Sequence, residues 1–213
     1  MSAFPQPLTG IAAPLLCDNI DTDTIIPSRE MKSTGRTGLA DGMFAPWRYT
    51  DADTRTENPA FALNQPDYRG AAILASGSNF GCGSSREHAV WALAEYGVRA
   101  IIAESFAPIF RSNCIRNFLL PITLDRAAVE AIAGREVTID LAALTLTCGE
   151  HTHRFTLEAE AHDMLTHGLD AIDLTLQQAA AIDAWTNADR AARPWVYDLP
   201  RPAPTPAQEP ARP

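Results

Sequence analysis

The run Ser78-Asn79-Phe80-Gly81-Cys82-Gly83-Ser84-Ser85-Arg86-Glu87-His88-Ala89 concentrates the residue types that could do chemistry. An apolar segment, Gly70–Ala75, precedes it, and a helix-like run from Arg86 to Tyr96 follows and stops at Gly97. The order predicted is strand, glycine-rich turn, helix. Gly81 and Gly83 permit positive φ and close backbone approach. Ser84 or Ser85 is the expected N-cap, with Glu87 suited to the first turn. The N–H groups at a helix start favour an anion. Arg86 adds a planar fork that matches a carboxylate or phosphate. Two adjacent hydroxyls stand beside that positive site, and either could take part in proton transfer. The chemistry implied is the binding of an acidic substrate with a proton-transfer group inside the binding site.

The elements that must hold this turn come from the flanking pattern. Ile11–Cys17 reads as an apolar strand leading into Asp18-Asn19-Ile20-Asp21-Thr22-Asp23-Thr24-Ile25-Ile26-Pro27. The acidic spacing there fails the EF-hand pattern, which also requires a glycine. It reads either as a turn held by Asx-type hydrogen bonds or as a loop that turns one carboxylate toward a site. Residues 28–53 have little periodicity and many turn formers, as expected of a functional loop. Phe44 and Trp47 are expected to dock part of it. Strands at 71–75, 99–103 and 119–124 alternate with helices at 86–96 and 106–117, the second capped by Ser105. This is a β–α–β pattern that implies parallel strands. A short helix at 127–133 follows, then strands at 136–141, 145–148 and 153–157, the last pair turning at Gly149-Glu150. Helices are expected at 159–167 and 174–187. Residues 1–193 are expected to form one domain. The proline-rich 194–213 reads as a solvated tail.

Composition narrows the partners. The chain has 213 residues, 46% of them hydrophobic, and a formal net charge of −9. That charge argues against nucleic-acid binding. No apolar stretch reaches membrane-spanning length, and Met1–Thr9 lacks the cationic-then-apolar pattern of a signal peptide. A cytoplasmic protein is expected. The four cysteines are scattered and none lies in a Cys-x-x-Cys pair, so no metal is expected on this chain.

The motifs resemble the small subunits of 3-isopropylmalate dehydratase, the swivelling domain of the aconitase superfamily. The resemblance rests on the stretches 18–27, Arg36-Thr37-Gly38, 79–89, Ser105-Phe106-Ala107-x-Ile109-Phe110, Leu119-Leu120-Pro121 and Gly168–Leu176. It implies an α/β fold, a swivelling β/β/α domain, with a mixed sheet, β–α–β units and a late β-hairpin. It also implies a large iron–sulfur subunit as partner, holding a 4Fe–4S cluster on three cysteines. The small dicarboxylate 2-isopropylmalate would be dehydrated and rehydrated to 3-isopropylmalate in leucine biosynthesis. By the same resemblance Ser84 is the base, Ser85 and Arg86 bind substrate, and Asp23 orients a histidine of the partner. Arg29 and Arg36 are further substrate-binding cations near the specificity loop 28–36, and Asp21 holds the turn. Glu30, Met31 and Phe118 depart from the commoner pattern. His88 reads as a hydrogen-bonding partner in the helix, Glu87 as a holder of the turn and Cys82 as small filler. The remaining histidines, 151, 153, 162 and 167, read as surface residues.

Two other readings compete, besides a non-catalytic interaction module that the proline tail alone would allow and the site residues argue against. One is a related hydro-lyase acting on homoaconitate, citraconate or a dimethylmalate. The other is a dinucleotide- or phosphate-binding domain, since Gly81-x-Gly83 follows a strand and Glu104 ends the next one. Arg86 stands where that fingerprint needs a small residue.

Overall fold

Long apolar runs without alternation are what strands buried on both faces require. Ile73–Ala75 and Ala100–Ala103 are apolar runs of this kind, and every residue of the strands Ile73–Ser76 and Ala100–Ala103 is buried. The structure, a computed structural model, describes residues 3–31, 35–51, 53–84 and 86–197. In chain order the elements are β1 (Leu8–Leu15), α1 (Thr22–Ile25), α2 (Ala45–Arg48), β2 (Tyr49–Asp51), β3 (Thr56–Glu57), β4 (Ile73–Ser76) and α3 (Glu87–Tyr96). Then come β5 (Ala100–Ala103), α4 (Pro108–Arg116), β6 (Leu120–Thr123), α5 (Arg126–Ile132), β7 (Glu136–Asp140), β8 (Thr145–Cys148) and β9 (His151–Arg154). Helices α6 (Ala159–His167), α7 (Ala171–Leu176) and α8 (Ala179–Ala192) complete the described chain.

Seven strands form one sheet in the order β6-β5-β4-β1-β7-β8-β9. β1, β4, β5 and β6 run parallel, and β1 pairs with β7 antiparallel. β7, β8 and β9 continue as an antiparallel meander. The mixed sheet, its β–α–β units and its late hairpin are the α/β architecture that the motifs imply. Alternate residues of one strand serve opposite faces. Ala13, Leu15, Leu74, Ile101 and Ala103 join one core with Phe44, Phe80, Leu93 and Phe110. Ala12, Ile73, Ala75, Ala100 and Ile102 join the other with Val129, Ile132, Leu146 and Phe155. The chain divides into two compact units, residues 1–171 and 172–213. Within the second, 172–197 are described; most of the proline-rich segment lies outside the described residues.

Several elements differ from the sequence reading. The helix expected over 174–187 is two, α7 and α8, and their break falls at Gln177–Gln178. Ser105 does not cap α4. Its N-cap is Ala107, with Pro108 at the first helical position, where a missing N–H costs nothing. The Ser105 hydroxyl instead accepts a hydrogen bond from Asn79 N at 2.8 Å. His162 is half-buried, with Nε2 3.1 Å from the Leu141 carbonyl. In the irregular loop, Phe44 is fully buried and stacks on Trp47 at 5.7 Å between centroids. This loop therefore docks on the protein's own core.

The loop is also clamped from α3. Glu95 Oε1 accepts from Gly38 N at 2.7 Å, and Oε2 accepts from Leu39 N and Ala40 N at 2.6 and 2.9 Å. Burial raises the Glu95 pKa, but the three N–H groups together outweigh it and hold the carboxyl below its ordinary 4.5. A carboxylate whose pKa is depressed by folding stabilises the fold above its unfolded pKa, and that contribution is lost as pH falls through the folded value. We therefore expect Glu95→Gln to lower the thermal midpoint by a few degrees at neutral pH. The gap from the parent should close as pH drops below about 4.5, as melting curves across pH 3–7 would record.

Candidate active site

The site forms where β1 and β4 leave the sheet. The parallel pairing of these strands continues past their ends as a backbone zipper. Asn19 N donates to Ser78 O at 2.8 Å, Gly81 N to Ile20 O at 2.7 Å, and Thr22 N to Cys82 O at 2.9 Å. Asn79 Nδ2 bonds Asn19 Oδ1 at 2.8 Å. The two acidic and glycine-rich segments are thus laid side by side. Phe80 anchors the turn from below. It is buried and meets Phe110 edge-on at 5.4 Å and Phe106 at 6.3 Å.

The glycines are required here. Gly81 has φ +77°, and a Cβ added there would come within 2.0 Å of the Phe110 ring. Gly83 has φ +89°, and its added Cβ would lie 3.3 Å from Asp21 Cβ. Asp21 caps α1, its Oδ1 accepting from Thr24 N at 2.6 Å. It holds the acidic segment, as expected of it.

Ser84 stands on this turn, exposed to solvent. Ser85 lies outside the described residues. α3 begins one residue later than expected, and its N-cap is Arg86, not a serine. Arg86 makes no side-chain capping bond, so its guanidinium is directed elsewhere. Its Nη1 lies 2.6 Å from Asp23 Oδ1 and donates to Ser28 Oγ at 2.9 Å. The structure therefore brings Asp23, Arg86 and Ser28 together, two residues along the chain from Ser84. Ser28 was missed from the sequence. It lies in the loop marked for specificity, but a lone serine after a proline gives no sign of reaching another segment.

The other cations go elsewhere. Arg29 is exposed, with Nε 3.5 Å from Glu30 Oε1. The Arg36 guanidinium lies 5.0 Å over the Trp91 ring, a cation–π geometry. A cavity of about 370 Å³ opens there, lined by Arg36, Trp91, Arg99, Asn117 and Phe118 among others. Neither Ser84 nor Arg86 lines it. Glu30 is buried, with one oxygen 2.5 Å from Arg55 Nη2. Buried charges demand such a partner, so its place in the loop is structural.

The start of α3 is held from a second side. Glu87, expected to hold the turn through backbone N–H groups, reaches Asn117 among the described residues: its Oε1 accepts from Asn117 Nδ2 at 2.8 Å. Asn117 Oδ1 in turn accepts from Trp91 Nε1 at 3.0 Å. His88 packs against Trp91, with ring centroids 4.6 Å apart. Asn117 comes just before Phe118, which takes the left-handed conformation at φ +58°. No group of three or more His, Cys, Asp or Glu side chains that could hold a metal ion occurs among the described residues.

Relatives place this geometry in a family. The aconitase C-terminal domain family matches residues 3–127, and the C-terminal domain of the 3-isopropylmalate dehydratase small subunit matches 172–198. A 3-isopropylmalate dehydratase small subunit from Cupriavidus necator is 55% identical over 197 residues, covering 88% of this chain and 95% of the relative. The chain belongs to the family of 3-isopropylmalate dehydratase small subunits. One from Sinorhizobium fredii is 45% identical, covering 89% of this chain and 97% of its own. A solved structure of 3-isopropylmalate dehydratase from Methanocaldococcus jannaschii superposes with a TM-score of 0.63 at 28% identity. That match covers 85% of this chain and 99% of the archaeal one.

Gly81→Ala is expected to cost about 2–4 kcal/mol, from left-handed backbone strain plus overpacking against Phe110. Chemical denaturation would measure it. Asp23→Asn removes the charge facing Arg86 on an exposed surface, so it should leave stability within about 1 kcal/mol of the parent.

Proposed function

We propose that this chain is the small subunit of 3-isopropylmalate dehydratase and interconverts 2- and 3-isopropylmalate through 2-isopropylmaleate, in leucine biosynthesis. The observation that carries the reading is the Ser84–Arg86 turn, held at the carboxyl ends of β1 and β4 with Asp23 and Ser28 on Arg86 Nη1. Ligands of open α/β sheets bind at such strand ends.

This chain's residues would divide the work as follows. The substrate is a dicarboxylate. Arg86 is pinned through Nη1, and its remaining fork edge, Nη2 and Nε, suits one carboxylate bidentately. Ser85 would bond the substrate, and Arg29 and Arg36 would add positive charge from the neighbouring loop. Ser84 would remove the proton next to a carboxylate. A serine hydroxyl is a weak base until a neighbour stabilises its alkoxide. The first N–H groups of α3, which the Arg86 side chain does not cap, and Arg86 itself can supply that stabilisation. Asp23 would orient a histidine of the partner while neutralising Nη1.

Ser84 is exposed and the Asp23 side chain is 52% exposed. A reaction that depends on water exclusion needs a second surface over them. We assign that surface to a large iron–sulfur subunit with a 4Fe–4S cluster. Such a cluster would supply Lewis acidity toward the leaving hydroxyl. All four cysteines of this chain are unpaired, in keeping with a reducing compartment, which we take to be the cytoplasm. No helix among the described residues is long and apolar enough to cross a membrane.

The burial of Glu30 against Arg55 favours the isopropylmalate reading over the related hydro-lyases. The residue departs from the commoner pattern but points into the protein, so it does not alter the substrate's surroundings. Purified alone, the chain should turn over no isopropylmalate, and mixing with a cluster-loaded large subunit should restore activity. In that complex, Ser84→Ala should lower kcat by about three orders of magnitude or more, with cluster content and assembly intact. Near-normal turnover of the variant would assign the proton transfer to another group.

A further inference from the structure

Away from Ser84, one side chain gathers three strand exits. Arg126, the first residue of α5, places Nη2 2.7 Å from Asp18 Oδ1 and 2.9 Å from Glu104 Oε2. Asp18 follows the end of β1 and Glu104 the end of β5. The third exit, that of β4, is reached through Asp18. The same Oδ1 that meets Arg126 accepts the N–H of Ser78 at 2.7 Å. The fit is tight: a Cβ added to Gly77 would lie 2.2 Å from that oxygen and 2.7 Å from the Cys17 carbonyl. Glu104 N also donates to Gly77 O, at 3.3 Å. From Ser78 the chain enters Asn79, at φ +55°, then Phe80 and the site turn.

The exposure of these groups bears on what they do. The side chains of Asp18, Arg126 and Glu104 are 43, 46 and 38% exposed. The Asp18–Arg126 pair is half-exposed, and such ion pairs contribute little to global stability; the Glu104 Oε2 that faces Arg126 is itself buried. Direction is another matter. A carboxylate oxygen shared by a backbone N–H and a guanidinium has one allowed position, so it sets the angle at which the chain leaves β4. Ser84 comes only six residues after Ser78.

We propose that Arg126 is a positioning residue for the reaction: through Asp18 it fixes the departure of residues 77–79 from β4, and so the place of Ser84 and Arg86 relative to the substrate. The activity arm of the proposal rests on the dehydratase reading; the structural arm does not. Misplacement of a reacting group by about 1 Å can cost on the order of 100-fold in rate. In the reconstituted two-subunit enzyme, Arg126→Ala should lower kcat about 10- to 100-fold. KM should stay within about threefold and the thermal midpoint within about 3 °C. Arg126→Lys, which restores the charge, should recover most of the loss. Asp18→Asn keeps an acceptor for Ser78 N but weakens the hold of Arg126. It should match Arg126→Ala, and the double variant should be no worse than either single.

Amide hydrogen exchange on the small subunit alone provides the second readout. Arg126→Ala should speed exchange at Ser78 and Asn79 by about tenfold or more, leaving β4 and β5 amides protected as in the parent. Unchanged exchange at Ser78 overturns the proposal whatever the kinetics show. So does a kcat loss that merely tracks melting or failed assembly, or one that lysine does not recover. If the parent complex fails to turn over isopropylmalate, the dehydratase reading falls, and the exchange result alone decides the latch.

Discussion

Everything at the candidate site depends on continuing a parallel strand pairing beyond the sheet. β1 and β4 stop at Leu15 and Ser76, yet their exits stay bonded as far as Thr22 and Cys82. Backbone groups in an extended loop must find partners or remain in water. Here each segment supplies the other. The arrangement forces the acidic and glycine-rich runs into contact although about 60 residues separate them in sequence, as the Asn79–Asn19 bond illustrates. The buried Phe80 ring turns that contact into a fixed floor, and Gly81 leaves the space its neighbour Phe110 occupies.

Above that floor the electrostatics change character. Where the protein buries charge, it matches it closely, as with Glu30 and Arg55. Beside Ser84 the charges are left wet, and Arg86 spans Asp23 and Ser28 across a surface open to solvent. Charges in water interact weakly, and the same charges under a covering surface interact strongly. Charges left wet in this way gain strength where a second body excludes water. That is the economy expected of a small subunit in a family whose name presupposes a larger one.

The supports of the site come from several helices at once. α3 is tied by Glu95 to the loop at 38–40 and by Glu87 to Asn117 beyond α4. α5 reaches the strand exits through Arg126. Each tie joins segments far apart in the chain, so the support of the turn comes from the packed unit rather than from the turn itself.

Much of this was legible from residues alone. The apolar runs at 71–75 and 100–103 announced buried parallel strands, because a strand with one face in solvent shows polar alternation. Gly81 and Gly83 marked positive-φ backbone and Gly97 a helix stop, and all three take positive φ, because glycine does so without strain. The motif order was enough to imply the family. What sequence could not disclose were the pairings that depend on where side chains end. Ser105 looked like a cap and became a partner of Asn79. Glu87 looked like a turn holder and became a partner of Asn117. Ser28 and Arg126 carried no local signal at all. Periodicity and steric allowance are properties of neighbouring residues, so the chain alone decided its strands, its glycine turns and the composition of its site. The destination of a long polar side chain is set by which distant segment packing brings within 3 Å, and that only the folded structure decided.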